Sequence, residues 1–171
     1  MTLDRYDIGY ATMVLSRFRV QPRRGHMDRA QKVFGYLRKF NDAKIRFRTR
    51  IPPNELLFTE PDCEWMHHIY GEREVEMFKG MPVAKGKIVR VSTFIDSGLH
   101  HCKVSGKAST CVLQMVNQTP VDWYFARQAT VETSTYGAEF VAALLGVDKI
   151  IDLVFTLKSI GVPVEEPVWM F

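Results

Sequence analysis

Ile88-Val89-Arg90-Val91-Ser92-Thr93-Phe94-Ile95-Asp96 is rich in β-branched and aromatic residues and ends on a carboxylate, the composition of a strand lying inside a sheet. Two further stretches of the same character follow, Ser109 to Val116 and Val121 to Ala126. Only Asn117-Gln118-Thr119-Pro120 separates them, which predicts an antiparallel hairpin. Beyond it, Thr133 or Ser134 can cap the free N–H groups of a helix that runs to about Ile160. Phe140, Val141, Leu144, Ile151, Val154 and Leu157 form its apolar face, and Gly161 is a natural stop. Val168 to Phe171 begins another strand-like segment. The order strand, strand, strand, helix, strand predicts an α/β domain with a mixed sheet across residues 88–171.

Upstream the periodicity changes. Ile8, Ala11, Val14, Leu15 and Phe18 recur at three- and four-residue steps and predict an amphipathic helix between Tyr6 and Phe18, ended by Pro22. A second helix is expected from Met27 to about Phe40, with Ala30, Val33, Phe34 and Leu37 inward and Arg29, Lys32, Arg38 and Lys39 largely outward. Residues 1–50 therefore read as a helical hairpin with a basic exterior. Residues 51–87 are interrupted by Pro52, Pro53, Pro61, Gly71, Gly80, Pro82 and Gly86 and read as a linker with one or two short strands.

Charge follows the same division. Residues 1–50 hold 13 Lys and Arg against 4 Asp and Glu, which leaves the remainder acidic because the whole chain carries only +4. A basic block on an acidic remainder suits contact with a polyanion such as nucleic acid, and equally a solvated helix face. Hydrophobic residues at 46% and charged residues at 25% exclude disorder and fibrous repeats. The longest apolar run, Phe140 to Val147, is cut by Asp148, far short of the ~20 residues that span a bilayer. No signal-peptide pattern opens the chain. Cys63, Cys102 and Cys111 are too few for a disulfide framework and are expected as reduced thiols in an intracellular setting.

A carboxylate closing a core strand and another in the first turns of the next helix can meet when that helix crosses the sheet. Asp96 and Glu139 stand at such positions, and hard divalent cations take oxygen ligands of this kind. The plainer reading makes Asp96 a turn former and Glu139 a partner of the helix dipole. Cys63, His67, His68, His100, His101 and Cys102 raise zinc as an alternative, but their spacings match no compact finger. Trp123 and Tyr136 could stack on bases; packing at the core edge is the simpler role for both.

Several segments, in order, carry a resemblance. Asp7-Ile8-Gly9-Tyr10-Ala11 with Leu15-Ser16-Arg17-Phe18 is similar to the segment that closes the reverse transcriptase of copia-type retrotransposon polyproteins, and His26 to Leu37 resembles the helix that follows it there. Asn117-Gln118-Thr119-Pro120-Val121-Asp122-Trp123-Tyr124, Arg127-Gln128-Ala129-Thr130-Val131-Glu132 and Ser134-Thr135-Tyr136-Gly137-Ala138-Glu139-Phe140-Val141-Ala142 resemble the RNase H region of one copia branch. Gly161-Val162-Pro163 looks like the turn before its fourth strand. No Tyr-x-Asp-Asp polymerase motif occurs in the chain, so DNA synthesis by it is not expected.

The resemblance implies an RNase H-like domain and, as activity, cleavage of the RNA strand of an RNA–DNA hybrid by two Mg²⁺ or Mn²⁺ ions. Asp96 and Glu139 correspond to its first two catalytic acids, and Arg127 and Gln128 to a pair close to the nucleic acid; a charged turn is the alternative for that pair. The family's third acid follows the strand matched here by Val168-Trp169-Met170-Phe171, where the sequence stops. The implied state is a polyprotein fragment with weak or absent metal binding, inactive by itself; the alternative is a non-catalytic remnant or weak nucleic-acid-binding module. Gly98 stands where relatives carry an acid or amide, Cys111 replaces a usual Gly, and Phe125-Ala126 replaces Ser-Lys, removing a phosphate contact. A sheet lacking the family's last elements is also expected to leave apolar surface open to self-association.

Overall fold

The computed structural model describes residues 5–50, 79–100, 102 and 105–171. Most of the expected linker, together with Cys63, His67, His68 and His101, lies outside the described residues. A short 3-10 turn at Tyr6–Ile8 leads into α1 (Gly9–Ser16), and α2 (Arg24–Lys39) follows. Then come β1 (Val91–Gly98), β2 (Ser109–Val116), β3 (Thr119–Arg127), α3 (Thr135–Ser159) and β4 (Trp169–Met170). The chain is thus mixed α/β, with a four-stranded mixed sheet ordered β3-β2-β1-β4.

β1, β2 and β3 form an antiparallel meander in which Asp96 pairs with Cys111 and Cys111 with Phe125. Asn117 turns the β2–β3 corner with φ 56°, a left-handed conformation that Asn tolerates better than most residues. β4 runs parallel to β1, an arrangement that needs a crossover, and α3 supplies it. Ser134 caps α3 by accepting a bond from the Gly137 N–H, as the sequence allowed. At its other end Gly161 adopts φ 79°, the left-handed exit that glycine permits. The return segment is held to β1 by Val89 and Glu165 backbone bonds. A two-pronged pair adds to them, the Arg90 Nε and Nη2 donating to Glu165 Oε2 and Oε1 at 2.7 and 2.9 Å.

The packing of α3 differs from expectation. Its large apolar residues Phe140, Leu144 and Ile151 are 54%, 54% and 48% exposed, and the side facing the sheet is Ala138, Ala142 and Gly146. The cause is close approach: a Cβ on Gly146 would lie 1.9 Å from Ile95 Cδ1. A helix carrying Phe or Leu on that side would stand farther from the strands. Val141, Val154 and Leu157 are half-buried. The closely approached interior is partly polar. Gln114 is its largest fully buried side chain, and its amide donates to the Lys149 carbonyl at 2.9 Å, which satisfies a group that would otherwise be costly to bury.

α1 lies on the opposite face of the sheet, against β3. Gly9 lies so near Phe125 that an added Cβ would come within 2.5 Å of the ring, and Tyr6 stacks obliquely on Trp123 at 5.7 Å. Trp123 is half-buried, in keeping with a packing role, whereas Tyr136 is 79% exposed and only faces Phe140. α2 turns Ala30, Val33 and Leu37 partly inward, but Phe34 is 70% exposed, contrary to its expected inward place. The two helices are tied by polar contacts as well: Asp7 accepts from Arg5 Nε and Nη2 and from the Tyr36 hydroxyl at 2.8 to 2.9 Å.

Candidate functional site

The sequence directs attention to one end of the sheet, where β1 and β3 finish and α3 begins. Asp96 sits near the end of β1. Its neighbour Ile95 meets Gly146 on α3, and because side chains alternate along a strand, Asp96 leaves from the face on which α1 lies. There it adjoins Cys111 and Tyr10: burial first, then the Asp96 carboxylate, pushes the Cys111 thiol up. The Tyr10 phenol is likewise raised, chiefly by burial, with Cys111 and then Asp96 adding to the effect and Arg17 opposing it.

Glu139 is in the second turn of α3 and is exposed. A short relay fixes that turn to the strands. Gln128 follows β3 directly, its N–H donates to the Ala108 carbonyl, and its side-chain amide donates to Thr110 Oγ1 at 3.0 Å and to the Ala138 carbonyl at 2.9 Å. Thr110 pairs with Ser97, the residue after Asp96. Glu139 and Asp96 therefore belong to the same end of the sheet, one on the helix that covers one face and one pointing from the other face.

The structure separates the roles of Arg127 and Gln128. Arg127 is exposed at the last position of β3, opposite Ser109. Gln128 is only 6% exposed, with its amide nitrogen bound within the fold. It braces α3 against the meander, and its inward position leaves Arg127 as the exposed member of the pair.

Divalent ions of the kind implied by the resemblance need several oxygen ligands converging on one point. Among the described residues no group of three or more His, Cys, Asp and Glu side chains converges, and the two acids start from different layers. They do not fit a two-ion centre. Cys102 is buried and Cys111 half-buried, and His100 is exposed in its turn. The zinc alternative gains no ligand cluster among the described residues.

A second polar assembly, which the sequence reading did not single out, occupies the far end of the sheet at the β2–β3 corner. Residues 46–48 lie against it. The Arg48 N–H donates to Thr119 Oγ1 at 2.8 Å, Thr119 Oγ1 is 3.5 Å from the Arg46 carbonyl, and Asn117 Nδ2 donates to the Arg48 carbonyl at 3.4 Å. Arg48 Nη1 also donates to Gln118 Oε1 at 2.7 Å. Thr119 and Asn117 are buried as a result, at 2% and 6% exposure. Sequence signals for this docking are weak, because each half is polar and they lie some seventy residues apart.

Among the described residues no helix is long and apolar enough to cross a membrane. No protein-family model, no curated protein and no solved structure matches the chain.

Proposed function

We propose that the chain is a retroelement-derived, RNase H-like module that binds polynucleotide, with an RNA–DNA hybrid as its reference ligand, and that it does not cleave that ligand by itself. The observation that supports this reading most is the position of two acids within one topology. Three antiparallel strands, a crossover helix and a strand parallel to the first follow in order, with Asp96 near the end of the first strand and Glu139 in the second turn of the crossover helix. These are the places where the copia-type resemblance puts its first two acids.

The chemistry explains the second half of the proposal. Two-ion phosphodiester cleavage needs enough anionic oxygen to hold both cations ~3.5–4 Å apart. Asp96 and Glu139 supply two carboxylates from different layers, and no third acid joins them among the described residues. Binding has a different requirement, positive surface, and the basic first fifty residues provide it. Backbone and groove shape, more than base edges, would then be recognised.

The test is incubation of the purified chain with a labelled RNA–DNA hybrid in Mg²⁺ and in Mn²⁺, beside Asp96→Asn and Glu139→Gln. The expected result is a retarded hybrid left intact by all three proteins. Cleavage by the unaltered chain that is lost in both variants would overturn the non-catalytic assignment and make these acids catalytic. A folded chain that neither retards nor cleaves the hybrid would overturn the proposal as a whole.

A further inference from the structure

The segment docked at the β2–β3 corner reads Lys44-Ile45-Arg46-Phe47-Arg48-Thr49-Arg50. Cations occupy every second position, and no acid lies between Ala43 and Arg50. Its hydrogen bonds explain how this pattern is displayed. The backbone groups of residues 46 and 48 face the same corner, the relation between positions i and i+2 of an extended chain, in which alternate side chains share a face. Arg46 and Arg48 thus leave from one side, with Lys44 two residues before them and Arg50 following at a bend, and all four are exposed.

Phe47 lies on the alternate side and is 77% exposed. Burial accounts for Ile45, which is half-covered, but not for Phe47. The corner needs the backbone of this segment to satisfy Thr119 and Asn117; it makes no demand on the four cations beyond the Arg48–Gln118 bond. Cations at alternate positions of an extended chain repeat at about 6.6 Å, twice the extended rise per residue, which is of the order of the separation of successive phosphates along a nucleic-acid strand. An exposed ring among them offers a stacking surface for a base. A duplex keeps its bases stacked on each other, so the ring favours a single strand.

We infer that residues 44–50 are a docked arm that binds single-stranded nucleic acid without sequence preference, the phosphates on Lys44, Arg46, Arg48 and Arg50 and a base on Phe47. The inference rests on the proposal that this chain's ligand is a polynucleotide, and it places the contact at the end of the sheet away from Asp96. Asp96 pairs with Cys111 while the corner adjoins Val116, so five residues of strand, roughly 17 Å, separate the two ends. The arm is fixed to the strands by the corner bonds, so a strand held there lies in a constant relation to the sheet.

Fluorescence anisotropy with labelled oligo(dT) and oligo(rU), in EDTA and over a series of salt concentrations, tests the arm on the full chain. Replacing Lys44, Arg46 and Arg50 by Ala removes three cations while keeping the Arg48–Gln118 bond. The slope of log K against log salt should then fall by about 2, at ~0.7 per phosphate contact on a single strand, and Phe47→Ala should weaken binding about tenfold. A control with Arg29→Ala and Lys32→Ala on α2 should keep most of the affinity. Circular dichroism checks that each variant is folded, and the milder Arg46→Gln with Arg50→Gln replaces the triple variant if that one is not.

An unchanged slope in the arm variants, an equal loss in the α2 control, or no binding by the unaltered chain would overturn the arm. So would preferential capture of the chain by phosphatidylserine vesicles over either oligonucleotide. Hybrid cleavage is read separately: arm-dependent binding beside hybrid cleavage would overturn the non-catalytic reading and leave the arm standing. Hybrid retardation that is insensitive to the arm variants would do the reverse.

Discussion

The two faces of the sheet are covered in different ways. α3 lies on one face through Ala138, Ala142 and Gly146, close enough that Gly146 has no room for a methyl group beside Ile95. Gln114 and Gln128 bond into that same layer. On the other face α1 meets the strands through Gly9 and the rings of Phe125, Tyr6 and Trp123, and the hairpin it belongs to has Gly9 as its one buried residue. Small-residue contact at close approach gives a layer that tolerates little change; a ring on a glycine gives one that can shift. The α3 face should therefore unfold with the sheet, and the α1 face should open separately.

The largest expected effect is at Gly146. Gly146→Ala should lower global stability by about 1–2 kcal/mol, because the overpacking cost at Ile95 exceeds the helix-propensity gain of alanine. In an Ile95→Ala background the same change should instead stabilise, by up to about 1 kcal/mol. Chemical denaturation of the four proteins in a double-mutant cycle measures this reversal of sign. By contrast Gly9→Ala, which displaces the Phe125 ring, should raise hydrogen exchange in α1 and leave the β1–β2 amides protected. Equal loss in both regions would show that the two faces form one cooperative unit.

A smaller effect is expected from pH. The Arg5 guanidinium, ahead of the Tyr36 hydroxyl, holds the Asp7 carboxyl at about 2, below its ordinary 3.8. A lowered folded pKa stabilises above the unfolded value and is lost as pH falls through the folded one. The hairpin contact should thus weaken between about pH 4 and pH 2, and Asp7→Asn should remove that part of the dependence. Hydrogen exchange or tyrosine fluorescence of the hairpin across that range provides the readout.

How much of this was legible in the sequence follows the range of the interactions. The three strands, the β2–β3 hairpin, the Ser134 cap and the Gly161 exit depend on neighbours, so β-branched runs, a short turn, a capping residue and a terminal glycine mark them. The inward side of α3 was not legible by periodicity, since Phe140, Leu144 and Ile151 form a better apolar stripe than Ala138, Ala142 and Gly146. What decides between them is how near the helix lies to Ile95, a distance set by the strands. Phe34 departs from its stripe for a related reason: an apolar residue on a helical stripe is inward only if another element lies over it.

The candidate site divides in the same way. Asp96 and Glu139 stand at recognisable positions, a strand end and an early helical turn, but the opposite faces they leave from follow from strand alternation and from Gly146. Gln128 is set beside Arg127 near nucleic acid only by the resemblance, which carries no information on its burial. Its burial depends on Thr110 and on the Ala138 carbonyl. The docking of residues 46–48 on the β2–β3 corner joins segments too far apart in sequence for pattern reading, although the alternation of cations from Lys44 to Arg50 was in plain view.

The measurement that most directly tests a polynucleotide-binding module is the salt dependence of the full chain's affinity for an RNA–DNA hybrid in EDTA. The account predicts measurable binding at low salt and a negative slope of log K against log salt equivalent to several phosphate contacts. A folded chain with no measurable affinity at low salt, or with an affinity indifferent to salt, would contradict it.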